Sequence, residues 1–211
     1  MLDIHSHRPA PYPEGVISMR SLDATPVEGQ LYSVGIHPWD TVTPPSEAEW
    51  ETLETIAADP RVAMIGECGV DVGKGGPMFR QLQILKRHID LSERLGKPLI
   101  LHCVKGADII LGLKRDLNPS QPWIIHGFRG KPALASQLTQ KGILLSFGEK
   151  FNRATVMQMP DDMIFAETDD SILTIEEIIG QLSQAADRDL LTPIKKNIES
   201  LLNPLPAGDY L

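Results

Sequence analysis

Cysteine is nearly missing from this chain: Cys68 and Cys103 are its two in 211 residues. A disulfide framework therefore does not hold it together. Long apolar runs are also missing. Nothing approaches the roughly 18 residues of a membrane span, and no basic N-terminal region precedes an apolar stretch. The expectation is a soluble, cytoplasmic protein with no membrane and no obligate protein partner. Basic charge is short as well: 20 Lys and Arg against 28 Asp and Glu give a net charge of -8. That balance argues against a broad electrostatic footprint for nucleic acid. It leaves room for a local basic patch, for which Arg8, Lys105 and Arg129 are the candidates. Repeats and low-complexity segments are absent too.

What the chain has is strand and helix in alternation, an α/β signature. A hydrophobic content of 42% suffices for one sizeable core, read as a single domain over residues 1–211. Ser46-Glu47-Ala48-Glu49 has capping-box spacing and opens a helix to about Ala58, with Trp50, Leu53 and Ile56 on one stripe. The longest helix should run from about Pro77 to Leu95, with Phe79, Leu82, Leu85, Ile89 and Leu91 inward and Gly96 as its stop. Further helices are expected near Ala107 to Arg115, from Pro132 to a stop at Gly142, after the Thr174 capping box, and from Thr192-Pro193 to about Leu202. The first third breaks this rhythm. Pro9, Pro11 and Pro13 fill the gap between His7 and the strand Val16 to Arg20, and the gap from Ser21 to Gln30 is barely longer. Neither has room for a helical crossover. A regular (β/α) barrel takes about 250 residues. The expected fold is thus a compressed or distorted TIM-type barrel with its early helices missing.

Six residues of metal-ligand type close its strands. Residues two apart in a strand point to one face, so His5 and His7 present both imidazoles together. Four apolar runs then end in Glu67, His102, His126 and Asp169. Parallel strands separated by helices gather their C-terminal ends on one face, where barrel enzymes keep their chemistry. A shared metal site explains that recurrence better than independent structural histidines. Cys68 and Cys103 directly follow two of these residues and should point outward as buried, reduced thiols. Imidazole and carboxylate without thiolate suit Mg, Mn, Zn or Fe.

His5-Ser6-His7, Val34-Gly35-Ile36-His37-Pro38, Gly66-Glu67-Cys68-Gly69-Val70-Asp71, Leu101-His102, His126-Gly127-Phe128-Arg129-Gly130 and Glu167-Thr168-Asp169 occur in an order and spacing that resembles the TatD-type metal-dependent hydrolases, amidohydrolase-like barrels. The resemblance implies two divalent ions: one held by His5, His7 and Asp169, the other by His102 and His126, with Glu67 bridging. It further implies a phosphoester substrate, DNA or nucleotides among them, attacked by an ion-activated water whose proton Asp169 accepts. His37 would orient the phosphate or protonate the leaving oxygen, and Lys105 and Arg129 would neutralise charge. Glu167 has the parity of Asp169 and is expected to orient a ligand. Two other readings stay open: the same ions attacking a carbonyl, as in an amidohydrolase or an ester or aminoacyl deacylase, and a metal-binding protein without turnover.

Overall fold

The computed structural model describes residues 1–20, 22 and 25–202. Ser21, Asp23 and Ala24, in the second early gap, and the C-terminal end of the expected domain lie outside the described residues. Strands β1 (Asp3–Ser6), β2 (Gly15–Met19), β3 (Leu31–Val34), β4 (Val62–Asp71), β5 (Leu99–Val104), β6 (Trp123–Ile125), β7 (Ile143–Phe147) and β8 (Ile164–Ala166) form one parallel sheet in chain order. The ring closes where Ser6 bridges Asp169: the His7 amide donates to the Asp169 carbonyl at 3.1 Å, and the Asp169 amide donates to the His5 carbonyl at 3.0 Å. This is the compressed TIM-type barrel expected from the sequence.

Among the described residues the early helices are indeed missing. Side chains do their work instead. Buried Gln30 donates to the carbonyls of Gly15 and Leu31 and accepts the Tyr12 amide, tying the proline-rich segment to the starts of β2 and β3. After β3 comes a single 3-10 turn, Pro38–Val42, and only then α1 (Glu47–Ala57), opened by the complete Ser46–Glu49 capping box. The later helices α2 (Met78–Leu95), α3 (Ala107–Leu117), α4 (Pro132–Thr139), α6 (Ile175–Ala186) and α7 (Leu191–Leu202) stand where the sequence puts them. Gly96, at φ 65°, is the left-handed C-cap that stops α2, and Gly142, at φ 70°, turns the chain two residues after the C-cap of α4, a conformation open to glycine without steric cost.

Four details differ from the sequence reading. Phe79 does not face inward but is 62% exposed, and Leu82 is only half-buried. Leu85, Ile89 and Leu91 are buried as expected, and Ile84 joins them, but the inward face of α2 also carries three polar residues, Gln81, His88 and Ser92. Each polar member has a partner that justifies its burial: Gln81 caps the Asp71, Lys74 and Gly76 carbonyls, His88 accepts the Ile36 amide, and Ser92 donates to the Lys97 carbonyl. Strand β4 runs on past Glu67 to Asp71, whereas β8 stops at Ala166, so Asp169 is held by its bridge to β1 rather than by a strand of its own. Helix α5 (Arg153–Gln158), capped by Asn152 accepting the Thr155 amide, has no counterpart in the sequence reading. Finally, Cys68 is buried as expected, but Cys103 is partly exposed.

Candidate metal centre

All six ligand-type residues converge at the C-terminal mouth of the barrel, around the carboxylate of Glu67. Its Oε2 lies 3.4 Å from His5 Nε2 and 3.5 Å from His7 Nε2. Its Oε1 lies 2.8 Å from His126 Nε2 and 3.0 Å from both His102 Nδ1 and His37 Nε2. Asp169 faces the first side, with Oδ1 3.6 Å from His7 Nε2 and 3.8 Å from His5 Nε2. The two oxygens of one carboxylate thus divide the imidazoles into two groups, as a bridging residue would. Donor atoms of His5, His7 and Glu67 lie within 4.8 Å of one another, and so do those of His37, Glu67 and His102, and of His5, His126 and Asp169. His126 therefore stands between the halves rather than with His102 alone.

His37 lies inside this cluster, not on the rim beside Lys105 and Arg129. It caps the Pro38–Val42 turn, its Nδ1 accepting the Trp39 amide at 3.2 Å, which leaves Nε2–H to donate to Glu67. The ring is 3% exposed. Lys105 and Arg129 are exposed and line a cleft of about 740 Å³ that opens onto His102, His126 and Asp169, with Trp39 at its side. Arg8, the third basic candidate, is taken up elsewhere: it donates to the carbonyls of Ser171 and Leu173 and lies over the Tyr12 ring.

Behind the ligands stand three acids. Glu167, fully buried, accepts the Gly127 amide at 2.6 Å and lies 3.3 Å from His126 Nδ1. Asp71 accepts the Trp39 indole N–H at 2.7 Å and lies 3.4 Å from His102 Nε2, so that His102 turns its Nδ1 into the cluster. Asp3 accepts the amides of His5 and Thr168 and the hydroxyls of Thr168 and Tyr12, locking β1 to the segment that carries Asp169. Sequence reasoning gave no role to Asp3, Asp71 or Trp39. Parity was the available signal: Asp3 matches His5 and His7, and Asp71 matches Glu67 once β4 is allowed its full length.

The electrostatics follow from crowding. Burial opposes ionisation of Glu67, yet the surrounding imidazoles of His126, His102 and His37 hold it far below the usual carboxylate range. Burial works against charge on His126 too, but Glu67 and Glu167 push its pKa well up. The hydrogen bond to Glu67 raises His7, burial lowers His37, and burial together with Glu167 raises Asp169. One carboxylate cannot accept from so many rings at once. The consequence is visible at His5, completely buried with neither ring nitrogen hydrogen-bonded. An orphaned buried imidazole is costly unless its lone pair has a Lewis acid to meet. Mixed nitrogen and oxygen donors on two sides of a shared carboxylate are the donor set a pair of divalent cations would take.

Residues 19–182 match the family described as TatD related DNase. Among curated relatives, a protein named as an uncharacterized metal-dependent hydrolase TatD from Mycobacterium tuberculosis is 31% identical over 157 residues, 67% of this chain and 58% of that protein. The deoxyribonuclease TATDN3 of Homo sapiens is 28% identical over 165 residues, 70% of this chain and 60% of that one. A 3'-5' ssDNA/RNA exonuclease TatD from Erwinia billingiae is 31% identical over 101 residues, 44% of this chain and 39% of its own length. The chain thus spans between about two fifths and three fifths of the length of these curated relatives. Among solved structures, the TatD homolog YJJV of Escherichia coli superposes with a TM-score of 0.79 at 18% identity, over 96% of this chain and 97% of that one. A TatD family hydrolase from Entamoeba histolytica gives 0.80 at 15% identity, over 97% and 98%. Both share the fold.

Proposed function

The chain belongs to the TatD-related DNase family, and from that premise we propose that it is a divalent-metal-dependent phosphoesterase acting on DNA, RNA or nucleotides. The observation that carries the reading is the division of Glu67 between two groups of imidazoles, with His5 buried and unsatisfied beside it. In this reading His5, His7 and Asp169 would hold one ion and His102 and His126 the other, with His126 also in reach of the first group and Glu67 shared between the two. Bound there, the ions would supply a hydroxide nucleophile at neutral pH and offset charge on the phosphate oxygens.

The chain's own residues do the rest. Asp169, 27% exposed where the cluster meets the cleft and far more open than Glu67, would take the proton from the attacking water and release it to solvent. His37, buried and hydrogen-bonded to Glu67, fixes that carboxylate instead of gripping the substrate. Lys105 and Arg129 stand across the cleft, free to neutralise charge building on the phosphoryl oxygens. With so few cations and a net charge of -8, grip depends on this local pair, which suits a short segment or a strand end.

The test is hydrolysis of bis-p-nitrophenyl phosphate and a short single-stranded oligonucleotide with Mg, Mn or Zn, run beside a panel of amide and ester substrates. Phosphodiester turnover that vanishes in Glu67→Ala supports the proposal. Turnover confined to amides or carboxylic esters would transfer the site to carbonyl chemistry.

A further inference from the structure

Of the three tryptophans, Trp50 and Trp123 are 4% and 0% exposed, whereas Trp39 keeps 38% of its surface open. That exposure does not come from looseness. The indole N–H is anchored to Asp71 at 2.7 Å, and the ring stands edge-on to His37 at 4.8 Å and to His102 at 5.7 Å. The turn that carries it is braced by the loop after β4, where Gly75 packs so closely that an added Cβ would lie 2.0 Å from the Pro38 carbonyl oxygen. Two cations attend the ring. Lys74 Nζ sits 3.8 Å from its centroid, and Arg20 Cζ lies 5.9 Å away, itself paired with Asp40. A rigid aromatic plate, flanked by cations, thus borders the cleft that holds Lys105 and Arg129.

Folding does not account for this arrangement, because a large apolar ring held half in water beside a charged cluster contributes little to the core. Aromatic faces interleaved with basic residues are how proteins hold unpaired bases next to a backbone. We propose that Trp39 is a base-stacking subsite: the nucleobase neighbouring the scissile phosphodiester lies on the indole face and displaces the Lys74 ammonium, which turns to the adjacent phosphate. A base can offer its face only where it is unpaired, so the subsite selects single-stranded segments or ends. This rests on the phosphoesterase reading and adds the residue that tells a nucleotide from a bare phosphodiester.

Two measurements test it. The first compares kcat/KM for oligothymidylate and for a fully abasic oligomer of equal length, with Mn, in wild type, Trp39→Ala and Trp39→Phe. Loss of one stacking contact should lower Trp39→Ala by roughly five- to a hundred-fold on oligothymidylate while leaving the abasic oligomer within about two-fold, and Trp39→Phe should recover most of the difference. Equal losses on both substrates would mean that Trp39 acts only through Asp71 and His102, and overturn the proposal; so would no loss on either. The second titrates the metal-loaded protein with phosphorothioate oligothymidylate and reads indole fluorescence, which needs no turnover. Quenching in wild type that is absent in Trp39→Phe upholds stacking even if hydrolysis itself fails, and no quenching refutes it.

Discussion

The six ligand-type residues were legible in the sequence one residue at a time, because each closes an apolar run and parity tells which way it points. What was not legible is the set of partners that hold them. Asp3 meets Thr168, 165 positions away, and Trp39 meets Asp71 across 32. No local spacing announces such contacts. His37 illustrates the difference: its place near the site could be read, but its burial against Glu67 follows from the turn that begins at Pro38. A prediction belongs at this scale. Glu167→Gln keeps an acceptor for the Gly127 amide but removes the negative charge beside His126 Nδ1. Its affinity for Mn, measured by calorimetric titration, should fall about ten- to a hundred-fold while the fold persists.

Among the elements, α2 shows what binary patterning misses. Its ends were fixed by Pro77 and Gly96, yet assigning apolar residues to the core put Phe79 inside, whereas Gln81, His88 and Ser92 occupy that face. A buried polar residue becomes intelligible only when its partner is known, and here the partners are backbone groups of neighbouring loops. His88 is the instructive case. Burial lowers it from 6.5 to about 4, with Nδ1–H donating to the Ile84 carbonyl and Nε2 accepting the Ile36 amide next to His37. The charged form is therefore disfavoured in the fold. Its contribution to stability is present above pH 6.5 and lost as pH falls toward 4, on the order of 2 kcal/mol between pH 7 and pH 5. Urea unfolding at both pH values should show that His88→Gln loses this part of the slope. Strand β4 carries a second prediction. Gly69, at φ 142°, lies so close to β5 that a Cβ would be 2.0 Å from the His102 carbonyl oxygen. Gly69→Ala should destabilise the protein by about 3 kcal/mol or more in the same assay, because the clash is with backbone.

For the whole molecule, the barrel was legible from the rhythm of strands and helices and from the shortage of residues before Leu31, which left no room for two crossover helices. Helix α5 escaped notice because its six residues carry too little periodicity to read. The compressed first third has a consequence for stability. Strands β1 and β2 lack covering helices between them, and the ends of the barrel are joined through the very segments that bear His5, His7 and Asp169. Ions held by those residues would staple the seam. Saturating Mn or Zn at a hundredfold excess over the dissociation constant adds about 2.7 kcal/mol, so Tm should rise by about 5 to 10 °C in a thermal melt and return with chelator. Glu67→Ala should show no such rise. The most direct test of the account is elemental analysis of the purified, metal-reconstituted protein, wild type beside Glu67→Ala. About two divalent ions per chain in wild type, falling to one or none in the variant, is the predicted result. A wild-type chain that retains no stoichiometric metal after reconstitution would contradict it.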